Sequence, residues 1–268
     1  MLRIIWETMK ERKWPVIIYC AASVLLLILY IALFPSLQTQ SQQLTEVLKS
    51  MPDNLLKAFG SSADQLSNFT LESLLASKQF SMMFQLLAAI LAISIAANDL
   101  SGEIEIGTID FLLSQPVSRL KFYFARFLSG TFLLTIFVVL STIVVKPIAG
   151  LFHVVYNPEI YWKLFVVAWL YTIAFYAFSY LLSVIFSAKG RVFAITAGML
   201  TAMYAVYLIS ALKENLDKLK YLSFFHYFSA DIMYSGQIDK TGALIFIITI
   251  IGGLLIGAVI FDRRDILV

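Results

Sequence analysis

The sequence is 268 residues long, 60% of them hydrophobic and only 14% charged, with a formal net charge of +3. A soluble domain carries nearer a quarter charged residues, so the composition excludes an ordinary water-soluble fold. The single cysteine, Cys20, excludes an intrachain disulfide, and no Cys/His zinc spacing exists.

At the start of the chain Leu2, Ile5, Trp6 and Met9 recur at helical spacing, with Arg3, Glu7 and Lys10 facing away. This pattern predicts a short amphipathic helix at the membrane interface. Trp14 and Pro15 then mark the interface and the first turn of an apolar span. Six such spans are predicted, at residues 15–34, 80–97, 127–145, 164–186, 192–212 and 243–261, and none contains Asp, Glu, Lys or Arg. Each is about the 20 residues that cross a bilayer as a helix. Long unalternating runs are helices and not barrel strands. The predicted fold is therefore an all-α integral membrane protein, one domain over residues 1–268. Residues 15–34 are longer than a signal-peptide core and no convincing cleavage site follows, so they are read as a retained span.

Six spans place both termini on one side. That side carries residues 1–14, 98–126, 187–191 and 262–268, with 11 of the 20 Lys and Arg side chains and all seven arginines. The positive-inside rule makes it cytoplasmic. Ion-coupled carriers usually keep an ionisable residue in the membrane. The bare spans imply that energy enters from outside them.

In the first outer loop, residues 35–79, Leu44, Val47, Leu48 and Met51 follow helical spacing, as do Leu71, Leu74 and Leu75. Short amphipathic helices packed over the spans are expected. Residues 98–126 carry more information. Ile106, Ile109 and Leu113 can share a helical face, with Asp99, Glu103, Glu105 and Asp110 around it. Gly107 permits close backbone approach, Pro116 stops the helix and Ser118 can cap the next one. Four acids are repelled by a negative lipid leaflet, so a protein partner suits this segment better than lipid.

Farther on, Tyr176, Tyr180, Tyr204 and Tyr207 place hydroxyls within the fourth and fifth spans. Mid-span hydroxyls need partners, or they line a polar path. Residues 213–240 hold Tyr221, Phe224, Phe225, His226, Tyr227, Phe228 and Tyr234, aromatics that favour a membrane interface. A lone His226 supplies neither a catalytic triad nor a zinc site. Gly253 and Gly257 form a GxxxG pair, which favours close helix packing within the chain or between two copies.

Gly102-Glu103-Ile104-Glu105-Ile106-Gly107-Thr108, then Leu112-Leu113 and Pro116-Val117-Ser118-Arg119, resembles the signature between the second and third spans of ABC-2 type permeases. Phe261-Asp262-Arg263-Arg264-Asp265-Ile266 is similar to the C-terminal ending common in that family. The resemblance implies a coupling helix that docks in a groove of a separate ATPase. Its contact residues would be Glu103, Glu105, Ile106, Gly107, Thr108, Ile109, Leu112, Leu113, Pro116 and Arg119.

The chain has no GxxxxGK[ST] phosphate loop. ATP and Mg²⁺ are thus expected on two partner ATPase subunits, with no cofactor in this chain. The resemblance further implies pairing with a second copy or a sister permease. It also implies short re-entrant helices between spans five and six, with Phe224, Phe225, His226, Tyr227 and Phe228 as an outer gate. Tyr176, Tyr180, Tyr204 and Tyr207 are the expected substrate path.

The functional expectation is export of a peptide, an antibiotic or a lipid-like amphiphile across a bacterial plasma membrane, with membrane lipid but no nucleic acid as a partner. The alternative is a non-transporting immunity or signalling subunit on the same scaffold. An intramembrane enzyme is disfavoured by the lack of HExxH, GxSxG or paired intramembrane carboxylates.

Overall fold

Four of the six apolar runs lie wholly inside longer helices; the third crosses a turn at residues 143–144, and the fourth extends one residue beyond its helix. The computed structural model describes residues 2–49, 70–109, 117–212, 214–228 and 232–264, and among these all regular structure is helical. The first helix, α1 (Leu2–Lys49), is 48 residues long and continues through Pro15 and Pro35. At 1.5 Å per residue it reaches about 72 Å, more than twice the hydrocarbon thickness.

The separate interface helix expected at the N-terminus is therefore absent as such. Its residues are the leading turns of α1, because Thr8, Arg12 and Val16 on one side of those turns pack inward against the bundle. Leu44, Val47 and Leu48 likewise belong to the last turns of α1, not to a short helix of their own. Met51 lies outside the described residues.

Helix α2 (Leu71–Asp99) starts with a reciprocal cap. The Ser73 amide donates to Thr70 Oγ1 at 3.2 Å, and the Thr70 amide donates to Ser73 Oγ at 3.1 Å. Leu71, Leu74 and Leu75 are buried, so this first turn packs over the spans. The backbone widens to a π-helix over Ala76–Met83 before resuming α geometry. Such insertions re-aim side chains. Here Gln79 is turned inward and donates to Ser23 Oγ at 3.4 Å, while Ser23 donates to Ser141 Oγ at 2.9 Å.

Short α3 (Ser101–Glu105) follows. Helix α4 (Arg119–Thr142) is capped by Ser118, whose hydroxyl accepts from the Lys121 amide. Then come α5 (Val145–Leu151), α6 (Pro158–Ile185) and α7 (Lys189–Leu212). Asn157 caps α6, and Pro158 occupies its first turn, where the missing N–H costs nothing. A 3₁₀ segment (Glu214–Leu222) leads to α8 (Phe224–Tyr227) and α9 (Ile232–Ser235). The last helix is α10 (Lys240–Arg263), capped by Asp239.

Among the described residues, six helical stretches are long and apolar enough to cross a membrane: α1, α2, the α4–α5 stretch, α6, α7 and α10. The chain is a multi-pass membrane protein. Burial separates an inner set from an outer one. The most apolar stretches of α2, α4 and α6 are 61, 50 and 67% buried, against 28, 17 and 28% for α1, α7 and α10. The outer helices turn residues such as Leu25, Ile248 and Leu255 outward, as lipid solvation permits.

The GxxxG pair acts inside this bundle. A Cβ added at Gly253 would stand 3.1 Å from the Ala177 carbonyl oxygen, and one at Gly257 would stand 2.4 Å from the Tyr123 hydroxyl. That hydroxyl donates to the Leu254 carbonyl at 3.1 Å. The two glycines let α10 close on α6 and α4 within one chain.

Candidate functional site

The chemistry concentrates where α1, α2, α4 and α6 come together at the arginine-bearing end. Asp99 ends α2, Glu103 sits in α3, Arg126 lies in the second turn of α4 and Arg12 projects from α1. Asp99, Glu103 and Arg126 are 0, 8 and 4% exposed. These three, with the partly buried Arg12, are tolerated there because opposite charges meet.

The pairing is uneven. Arg126 Nη2 donates to Glu103 Oε1 at 3.0 Å, and the Tyr176 hydroxyl donates to Asp99 Oδ2 at 2.6 Å. The contacts to α1 are longer. Arg12 Nε stands 3.5 Å from Asp99 Oδ1, Arg12 Nη2 3.8 Å from Glu103 Oε1, and Glu11 Oε2 3.9 Å from Arg126 Nη1. Arg12 also donates to the Asn98 carbonyl. The two acids are thus hydrogen-bonded to α4 and α6, while α1 meets them by longer charge pairs and is tied to the end of α2 by the Arg12–Asn98 bond.

Tyr176 reaches this cluster from mid-α6. A Cβ at Gly130 would stand 2.1 Å from its hydroxyl oxygen, so only glycine leaves the path open. The ring stacks on Phe127 at 4.9 Å. One turn on, Tyr180 donates to the Tyr123 carbonyl at 2.8 Å and packs against the Tyr123 ring. Both Tyr176 and Tyr180 are fully buried and bonded within the chain. They act as struts between helices in this arrangement of the bundle. Tyr204 and Tyr207 are half-buried on α7, with their rings against Phe225.

The motif residues after Glu103 divide into inward and outward sets. Glu103 faces inward, where Thr108 Oγ1 also donates to it. It is a structural member of the cluster and not an exposed docking acid. Ser101 is held by Ser183 of α6, whose hydroxyl accepts from the Ser101 amide at 2.9 Å. Glu105 is exposed, and its carboxylate accepts from the Lys189 amide at 2.7 Å, closing the start of α7.

The helix ends at a turn over Ile106 and Gly107, where Gly107 has φ 71°, a conformation that costs a residue with a Cβ about 1–2 kcal/mol. The helical face expected for Ile106, Ile109 and Leu113 is therefore interrupted after Ile106, because Gly107 takes the left-handed conformation that ends helices. Ile106 is 65% exposed, Thr108 is exposed and Ile109 is buried. Leu112, Leu113 and Pro116 lie outside the described residues. Arg119 Nη1 donates to the Arg264 carbonyl at 2.8 Å. Arg264 in turn donates through Nη2 to Ser187 Oγ at 2.6 Å and through Nη1 to the Val184 carbonyl. The ending of α10 is thereby tied to both α4 and the α6–α7 loop.

At the opposite end, α8 inserts aromatics into the bundle. Phe225, Tyr227 and Phe228 are buried, while Phe224 and His226 are half-buried. Phe228 stacks on Phe84 at 5.7 Å and packs on Tyr171 at 5.1 Å, and Phe224 meets Phe175 edge-on at 5.1 Å. Gln85 Nε2 donates to the Phe228 carbonyl at 3.3 Å, which pins the segment to α2. His226 contacts Tyr221 and Tyr227.

The ion cluster was hidden in the sequence by its own neighbours. Arg12, Asp99 and Arg126 each fall within three residues of a predicted span end and were read as wet flanks. Their common depth on one side was the available signal.

A family model described as "ABC-2 family transporter protein" matches residues 11–266. No curated protein matches the sequence.

Proposed function

The chain belongs to the ABC-2 transporter family, and from that premise we propose that it is the membrane-spanning subunit of an ATP-driven exporter whose ATPase is a separate polypeptide. The arginine-bearing end is the cytoplasmic one. The ATPase docks on the exposed turn of residues 105–108, with Ile106 as an apolar knob in its groove. ATP and Mg²⁺ act on two such partners, and a second copy or sister permease completes the membrane assembly. The thinly buried α7, with 17% of its apolar stretch covered, offers a face for that copy or for lipid.

One observation carries the reading: the exposed turn and the short α3 that leads into it are fastened to three helices at once. Glu103 is bonded to Arg126 of α4, Ser101 to Ser183 of α6, and Glu105 to the first amide of α7. A push on the turn therefore moves α4, α6 and α7 together. Tyr176 extends the connection through Asp99 to the middle of α6. Coupling of this kind requires ATP-bound partner to favour one arrangement of the spans, and a shift from 1:99 to 99:1 takes about 5.5 kcal/mol of differential binding.

The aromatic plug of α8 closes the outer end, and uncharged aromatic surroundings suit a peptide, an antibiotic or a lipid-like amphiphile as cargo. The test is reconstitution of the chain with its co-purifying ATPase in vesicles, assayed with candidate cargo of these classes. ATP-dependent cargo movement supports export. ATP hydrolysis by the complex without movement of any cargo class supports a non-transporting subunit.

A further inference from the structure

Between α1 and α4, beside the ion cluster, lies an open groove of about 430 Å³. Val16, Ile17 and Cys20 of α1 face Leu133, Ile136 and Leu140 of α4 across it. Lys10 and Lys13 stand at one end and are exposed. Lys10 Nζ lies 5.5 Å above the ring of Trp6, which is itself 59% exposed on the groove's rim. Lys13 Nζ lies 5.6 Å from the Trp14 ring centre. From Lys10 to Cys20 the helix rises about 15 Å, which is half the hydrocarbon thickness and thus the depth of one leaflet.

We infer that this groove binds one anionic phospholipid, with an acyl chain along the α1–α4 cleft and the phosphate held by Lys10 and Lys13. The occupant follows from charge and shape together. The cleft is apolar for about 10 Å along α4, from Leu133 to Leu140, and then ends in two cations beside an indole, the arrangement of a lipid from tail to headgroup. A zwitterionic lipid would fill the cleft but leave the lysines without a net counter-charge. A second copy seated by a two-fold axis would set Lys10 and Lys13 against their own equivalents, which like charge opposes. Of the two nearby acids, Glu11 is turned toward Arg126, and Glu7, one turn before Lys10, leaves the two lysines with a net positive charge. The inference requires only that the six spans lie in a bilayer, and it stands whether or not the chain transports.

The test uses the full-length chain in nanodiscs with Trp14, Trp162 and Trp169 replaced by Phe, so that Trp6 alone reports. Phosphatidylglycerol or phosphatidylcholine carrying a nitroxide on an acyl carbon next to the ester, the part of the chain nearest Trp6, is titrated over the same range of mole fractions. Labelled phosphatidylglycerol is expected to quench Trp6 at several-fold lower mole fraction than labelled phosphatidylcholine. Lys10→Gln and Lys13→Gln should each reduce that preference roughly fivefold, leaving phosphatidylcholine quenching unchanged. Ile136→Phe, which fills the cleft without touching charge, should abolish the preference as well. Equal quenching by the two lipids would overturn the inference. So would a preference that survives Ile136→Phe, since that is the behaviour of a basic surface without a seated lipid. Cross-linking of Trp6→Cys between copies would assign the groove to a second chain and overturn it too.

Discussion

Gly130 faces the Tyr176 hydroxyl so closely that a Cβ there would stand 2.1 Å from its oxygen. That vacancy lets a tyrosine in the middle of α6 reach Asp99 at the end of α2. Gly130→Ala should displace the ring and cost about 1–3 kcal/mol, as overpacked cores do. In a Tyr176→Ala background the same change should cost far less, because the clash is gone. Thermal unfolding of the four detergent-solubilised variants measures this. Equal costs in both backgrounds would show that the contact is not tight.

Arg126 holds two helices through one carboxylate. Arg126→Ala leaves Glu103 buried without its 3.0 Å partner, and about 3–5 kcal/mol of stability should be lost. Adding Glu103→Leu should restore much of it by removing the stranded charge. Recovery of stability without recovery of coupled ATP hydrolysis is the expected pattern, since the apolar pair packs but no longer ties α3 to α4. A double variant less stable than Arg126→Ala would contradict this account of the pair.

Gly257 tests where the GxxxG pair acts. Gly257→Leu should lower the melting temperature by forcing α10 off Tyr123, while the oligomeric state measured by light scattering stays as in the parent. Loss of a dimer with an unchanged melting temperature would place the pair between copies.

Ile106 is apolar, exposed and bonded to its surroundings only through its backbone turn. Ile106→Glu should change stability by no more than about 0.5 kcal/mol, as surface substitutions do. Co-purification of the ATPase should nevertheless fall at least tenfold, because a charge replaces the knob. Undiminished co-purification would remove the turn from the docking surface.

The six spans were legible because hydropathy over about 20 residues is a strong, local signal. Ser118 as a helix cap was legible for the same reason, since capping depends on residues within one turn. What depended on depth and partners was not. Glu103 and Glu105 carry the same charge two residues apart, yet one is buried on Arg126 and the other is exposed at the start of α7. No local pattern distinguishes them, because helix packing and not sequence spacing decides which one faces the bundle. Tyr176 likewise looked free to line a path. Its role is set by Gly130, 46 positions away in the chain. The unbroken α1 was missed because the charged residues at its start suggested a boundary, although nothing in residues 2–14 stops a helix.

Cysteine cross-linking tests the central claim most directly, that the turn at residues 105–108 meets the ATPase. Cys20, the chain's one cysteine, is replaced by Ser, and Cys is introduced either at Ile106 or at Tyr221 at the opposite end. With the co-purifying ATPase present, Ile106→Cys should cross-link to it through a short bifunctional maleimide, with a yield that changes on ATP binding, and Tyr221→Cys should not. Cross-linking of Tyr221→Cys but not Ile106→Cys would contradict the account.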